Sequence, residues 1–224
     1  MINKFYAFQT LLLLVLIVCT SGKAPRTIKT EKDYIFFIHN KFLEENPEGT
    51  LATKYNVKVA YGEILKSFSK DGFEVVSEKR KPNTNSVDYA KKVVEQIDSL
   101  IKIGVKPNHI TVVGTSKGGY IAQFVSTFAK NPDLNFVFIG SFQAKDIEEI
   151  PTINFSGNIL TIYEKSDVFG ISALKRKEKS KLKINHFKEI ELNTGLKHGF
   201  LYIASEEWIK PCKMWAKRNY KMTK

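Results

Sequence analysis

Cysteine is nearly absent from this chain: among 224 residues only Cys19 and Cys212 carry a thiol. Cys19 lies in an amino-terminal segment that reads as removable, so Cys212 stands alone and an intramolecular disulfide scaffold is excluded. Cys212 follows Pro211, has no nearby histidine partner in sequence, and is expected to be a semi-buried helix residue. Acid is also scarce, with 23 carboxylates against 35 lysines and arginines and a formal net charge of +12. That excess suits anionic partners such as acidic polysaccharide, lipid headgroups or nucleic acid, without naming one. The densest basic run, Lys175 to Lys183, has no interleaved aromatics, so it reads as a solvated helix face or loop and gives no clear nucleic-acid site. No apolar run reaches the ~20 residues that span a bilayer. The phosphate-binding Gly-x-x-x-x-Gly-Lys and dinucleotide-binding Gly-x-Gly-x-x-Gly spacings are missing, as are repeats and low-complexity tracts. No cofactor or metal is expected.

What is present is an ordinary globular composition, 43% hydrophobic and 26% charged, of a length that suits one domain with a real core. Residues 1–22 read as a signal peptide. Lys4 supplies the positive start, Leu11 to Val18 the apolar centre, and Cys19 to Gly22 the small residues of a cleavage site. Phe5 to Val18, broken by Gln9, is short for an anchor, so export with removal of the segment is expected; lipid attachment at Cys19 is the minor alternative. Removal takes one lysine and no acid, and the charge becomes +11. A polar linker over 23–33 then leads into a domain over 34–224.

Within that domain the pattern predicts strands over 34–39, 73–77, 110–113, 135–140, 158–163 and 187–192. Helices are predicted over about 60–70, from a Ser86 cap to Gly104, over 119–130, and over about 200–217 with a kink at Pro211. Residues 40–50 read as a loop. Short apolar runs alternating with helices imply an α/β fold with a mostly parallel six-strand sheet covered on both faces. In such sheets ligands sit beyond the carboxyl ends of the strands.

One of those ends carries Gly114-Thr-Ser-Lys-Gly118, a Gly-x-Ser-x-Gly turn between a β-branched strand and a helix. A serine at such a turn is strained, and only small neighbours let strand and helix approach closely enough. Ser116 is therefore the candidate nucleophile, with the N–H of Lys117 at the helix start aimed at a developing oxyanion. A serine needs a base, and the base an orienting carboxylate. His109 and His186 precede or begin strands, at the wrong end of the sheet; His39 lies on the right rim but before the serine. His198, in the Gly-flanked loop after the last strand and expected to be exposed in the cleft, is the candidate base. Asp167, in the loop after the strand ending at Tyr163, is the candidate acid, with Glu164 as runner-up.

With the order Ser116, Asp167, His198, the chain resembles the α/β-hydrolase superfamily from Tyr34 to Lys217. The resemblance implies a minimal six-strand core and an oxyanion hole completed from the loop after the first core strand. That loop reads His39-Asn40-Lys41-Phe42, where the family typically has His-Gly; Lys41 is the expected second donor, then Phe42. The family's lid commonly lies between its sixth and seventh strands. Here only 142–157 is available, too short for a helical cap, which implies an open site. The activity implied is a serine hydrolase cleaving a small-molecule or polymer-borne ester or thioester through an acyl-enzyme. Lys117 and its basic neighbours would favour an anionic acyl donor or leaving group. An acyltransferase or peptidase would use the same residues, and a non-catalytic binding module on the same fold is the contrasting alternative.

Overall fold

Consecutive apolar residues such as Phe36-Phe37 and Val112-Val113 have to bury side chains on both faces of a strand, and a sheet covered on both sides is the arrangement that does so. A computed structural model describes residues 31–222. The signal-peptide expectation, Cys19 and most of the linker lie outside those residues. Six parallel strands form the sheet: β1 (Tyr34–Ile38), β4 (Glu74–Val76), β5 (Ile110–Thr115), β6 (Asn135–Ile139), β7 (Gly157–Glu164) and β8 (Ile184–Leu192), in the order β4-β1-β5-β6-β7-β8. Two short strands, β2 (Leu51–Ala52) and β3 (Val57–Lys58), pair antiparallel in the segment between β1 and the helix over Tyr61–Ser69.

Alternation along each strand divides the core. Ile35, Phe37, Val113, Val137 and Leu160 pack with Trp208 and Trp215 of α7 (Glu206–Ala216) and with α2 (Tyr61–Ser69). Phe36, Ile38, Val112, Phe136 and Ile159 pack on the opposite face with α3 (Ser86–Lys102) and α4 (Lys117–Ala129). Cys212 is fully buried rather than semi-buried, and burial pushes its thiol well above the ordinary range.

Several boundaries differ from expectation, for local reasons. The cap of α3 is Asn85, whose Oδ1 accepts from the N–H groups of Val87 and Asp88, and Ser86 is the first helical residue. The predicted start of β8 at Phe187 is three residues late. As an edge strand it is paired on one side only, so the polar Asn185 and His186 fit within it. The single helix expected over 200–217 is two elements. A 3₁₀ turn covers Lys197–Tyr202, and α7 restarts at Glu206 behind Ser205, whose hydroxyl accepts from the Glu207 N–H. The loop over 40–50 contains a one-turn helix, α1 (Phe42–Glu45). Part of the basic run forms α6 (Leu174–Lys179), and it is not wholly solvated: Arg176 is buried, donating to the carbonyls of Ile153 and Asp146. Between β6 and β7 stands only the four-residue α5 (Asp146–Glu149), so this segment supplies no helical cap. None of the described helices is long and apolar enough to cross a membrane.

Candidate active site

The turn after β5 is built by close packing. Ser116 has φ 51° and ψ −120°, a region that a non-glycine residue occupies only when its surroundings impose it. Its N–H donates to the Ile139 carbonyl at 2.9 Å, and its own carbonyl accepts from Gly119 and Tyr120 at 2.8 and 3.1 Å. A Cβ on Gly114 would overlap the Gly118 carbonyl, and one on Gly118 would overlap the carbonyls of Ile38 and His39. The two glycines of the motif are therefore fixed by contact as well as by the turn.

Ser116 Oγ lies 2.8 Å from His198 Nε2, and His198 Nδ1 lies 2.6 Å from Asp167 Oδ2. A carboxylate only accepts, so Nδ1 carries the proton and Nε2 is left to accept from the serine hydroxyl. Asp167 is held in turn by the Phe169 N–H, which donates to Oδ1 at 2.9 Å. The three groups come from loops after β5, β7 and β8, at the carboxyl ends of those strands. His198 is not exposed as expected. It is 7% accessible, seated in the 3₁₀ turn with Phe169 and Tyr55 against its ring. Glu164 turns away from it. Its Oε1 accepts from Ser166 and its Oε2 from Thr194, so it ties the Asp167 loop to the segment before His198. Burial alone would raise the Glu164 carboxyl, but those hydrogen bonds outweigh it and hold the group below the usual carboxylate range. His109 sets Nε2 2.8 Å from Glu31 and Nδ1 2.8 Å from Asp33, and His186 stacks on Tyr220, both away from Ser116.

The other flank of Ser116 rests on buried charge. Glu44 and Arg80 side chains are both fully buried and paired at 2.9 Å, and Lys117 Nζ reaches the second Glu44 oxygen at 2.8 Å and the Thr84 carbonyl at 2.8 Å. Lys117 is thus engaged internally, which corrects the expectation that its ammonium meets an anionic substrate. Arg80 also donates to the His39 carbonyl, while its backbone N–H donates to His39 Nε2 at 2.8 Å. With Nε2 accepting, Nδ1–H donates to the Asn40 carbonyl at 2.7 Å. Burial, then the Arg80 charge, lowers the His39 ring to about 4, so it is neutral near pH 7.

This network orients backbone. In a trans peptide the N–H points opposite the C=O. Holding the Asn40 carbonyl on His39 therefore turns the Lys41 N–H to the other side. Lys41 and Phe42 border the same cleft as Ser116 and His198, and neither N–H has an intramolecular acceptor among the described residues. The Lys117 N–H, in the first turn of α4, is likewise free among them. Lys41 and Phe42 thus both line the cleft of Ser116, and Lys117 follows the serine at the start of α4. His39, Glu44 and Arg80 were not singled out by sequence reasoning for this task. Only the missing glycine at Asn40 hinted that the loop needed other support.

The cleft measures about 210 Å³ and is also lined by Tyr120, Gln143, Phe169 and Tyr202. Among the described residues no cluster of histidine, cysteine or carboxylate gathers as a metal site. No protein-family model and no curated protein matches the chain. Solved structures do. SOBER1 from Arabidopsis thaliana is 14% identical, with 84% of this chain and 98% of that one covered at a TM-score of 0.51. The esterase domain of a Rhodothermus marinus protein is 14% identical, covering 85% and 89% at 0.53. An alpha/beta hydrolase enzyme from a Medee basin deep-sea metagenome library is 10% identical, covering 86% of each at 0.53.

The chain has the α/β-hydrolase fold. At these identities the likeness is one of fold, and the chemistry has to be argued from the α/β-hydrolase rim of this chain itself.

Proposed function

We propose that the protein is an exported serine hydrolase that cleaves an ester or thioester through an acyl-enzyme. The observation that carries this reading is the unbroken hydrogen-bond chain from Ser116 through His198 to Asp167, beside a strained serine backbone held by its turn. Export rests on the amino-terminal residues 1–22.

In the proposed reaction Ser116 Oγ attacks the acyl carbon while His198 Nε2 takes its proton. The carbonyl oxygen becomes an oxyanion that the Lys117 N–H and a donor from Lys41 or Phe42 meet. Asp167 keeps Nδ1–H oriented and stabilises the imidazolium without itself taking the proton. His198 then returns the proton to the departing alcohol or thiol, and water repeats the sequence to free Ser116. The absence of a cap between β6 and β7 suits bulky or surface-borne acyl donors as well as small ones.

A fluorophosphonate probe tests this directly. Covalent labelling of the wild-type protein that disappears in Ser116→Ala and in His198→Ala is expected. A folded wild-type protein that takes no label, or labelling that persists in Ser116→Ala, contradicts the reading.

A further inference from the structure

Among the described residues six large apolar side chains are exposed, and four of them fall within residues 168–174: Val168 at 78%, Phe169 and Ile171 at 41%, and Leu174 at 46%. The backbone that displays them is anchored. The Phe169 N–H donates to Asp167, the Ile171 N–H to the Phe142 carbonyl and the Ala173 N–H to Glu189, while Arg176 pins the following helix from below. Exposure here is a property of a held loop, and clustered apolar exposure on a held loop marks a contact surface.

The exposed charge of this stretch is mainly positive. Residues 165–183 carry six exposed lysines and one exposed acid, Glu178; the other two charged residues in the stretch, Asp167 and Arg176, are buried. On the side of the cleft, Lys54 Nζ stands 5.3 Å from the Phe169 ring centroid, and that ring packs 5.2 Å from the His198 ring. The apolar strip therefore begins at the cleft and ends in the basic helix α6.

We propose that Val168–Leu174 and the lysines behind them dock the protein on an anionic lipid surface, presenting the Ser116 cleft to acyl groups held there. Apolar side chains flanked by lysines match both layers of such a surface, the acyl boundary and the anionic headgroups. A soluble polyanion would use the lysines and leave the four apolar side chains in water. The docking itself does not depend on the hydrolase reading; only its use in presenting acyl groups does.

The test places an indole at the most exposed position, Val168→Trp, in the full chain, with Leu174→Trp as a second reporter. Trp208 and Trp215 are fully buried, so their emission is a constant background. Emission should shift to the blue, and be quenched by brominated acyl chains, on vesicles of phosphatidylcholine mixed with phosphatidylglycerol but not on phosphatidylcholine alone. Lys175→Glu, Lys177→Glu and Lys179→Glu together should weaken partitioning by about fivefold or more per lysine. The same shift in a Ser116→Ala background separates docking from hydrolysis, so a protein that docks but takes no fluorophosphonate label would sink only the catalytic reading. Unchanged emission on the mixed vesicles overturns the proposal, and so does binding that the lysine changes leave intact. Lysine-dependent retention on heparin without any emission change on vesicles also overturns it and assigns the lysines to a polyanion.

Discussion

Ser116 has two flanks, and they are built on opposite principles. On one side the His198 ring meets the serine directly, and Asp167 stands behind that ring. On the other side the groups offered are backbone N–H donors, and the side chains of His39, Glu44, Arg80 and Lys117 do the holding. The first flank puts function in titratable groups, while the second uses a buried charge cluster to fix the direction of a peptide plane. A buried cluster of this kind gains little stability for its desolvation; here its donors end on the loop carbonyls of His39 and Thr84.

The largest expected effect lies on the first flank. His198→Ala should lower kcat by about 10⁴-fold or more, and Asp167→Asn by a comparable factor because it disturbs the ring tautomer. Steady-state kinetics on a nitrophenyl ester read both. On the second flank Lys117→Met cuts the tether between Glu44 and the elbow but leaves the backbone N–H in place. It should lower kcat about tenfold with KM little changed, less than the 10²- to 10³-fold cost of a whole oxyanion donor. Partial recovery in Lys117→Arg would show that the tether acts through position. An unchanged kcat in Lys117→Met would reduce this flank to a structural role.

His39 gives a pH signature to the second flank alone. In the unfolded chain its ring takes a proton near its ordinary 6.5, and in the fold only near about 4. The unfolded state therefore binds more protons between these values. The His39 contribution is fully present above pH 6.5 and is lost as pH falls through about 4, on the order of 3 kcal/mol in all. Urea midpoints measured across that window should fall less steeply in His39→Gln than in the wild type. The smallest effect separates the two acids after β7. Glu164→Gln should cost roughly 1 kcal/mol of stability by weakening its bonds to Thr194 and Ser166 while leaving kcat nearly unchanged. A loss of activity as large as that of Asp167→Asn would exchange their roles.

The same division explains what the sequence could convey. Strand positions, the elbow glycines and the Ser116, Asp167, His198 progression were legible because each has a local pattern: β-branched runs, a tight spacing, or a loop at a strand end. The second flank was not, because Glu44 and Arg80 look like ordinary loop charges and meet only when β1 and β4 lie side by side. His39 was set aside for preceding the serine, which was sound for a base and uninformative about a ring that acts as a strut. Elsewhere the misses were of boundary. Asn85 caps in place of Ser86 because an amide side chain can accept two N–H groups, and α7 begins late because Ser205 restarts it. Arg176 shows the limit of reading a basic run as solvated, since one guanidinium in it anchors the helix from within.

The most direct measurement is rapid-quench mass spectrometry of the intact protein during turnover of a nitrophenyl ester. The account predicts a transient gain of one acyl group, mapped to the peptide containing Ser116, accompanied by a burst of nitrophenol and absent in Ser116→Ala. Turnover that proceeds with no acylated protein, or with the acyl group on another residue, contradicts it.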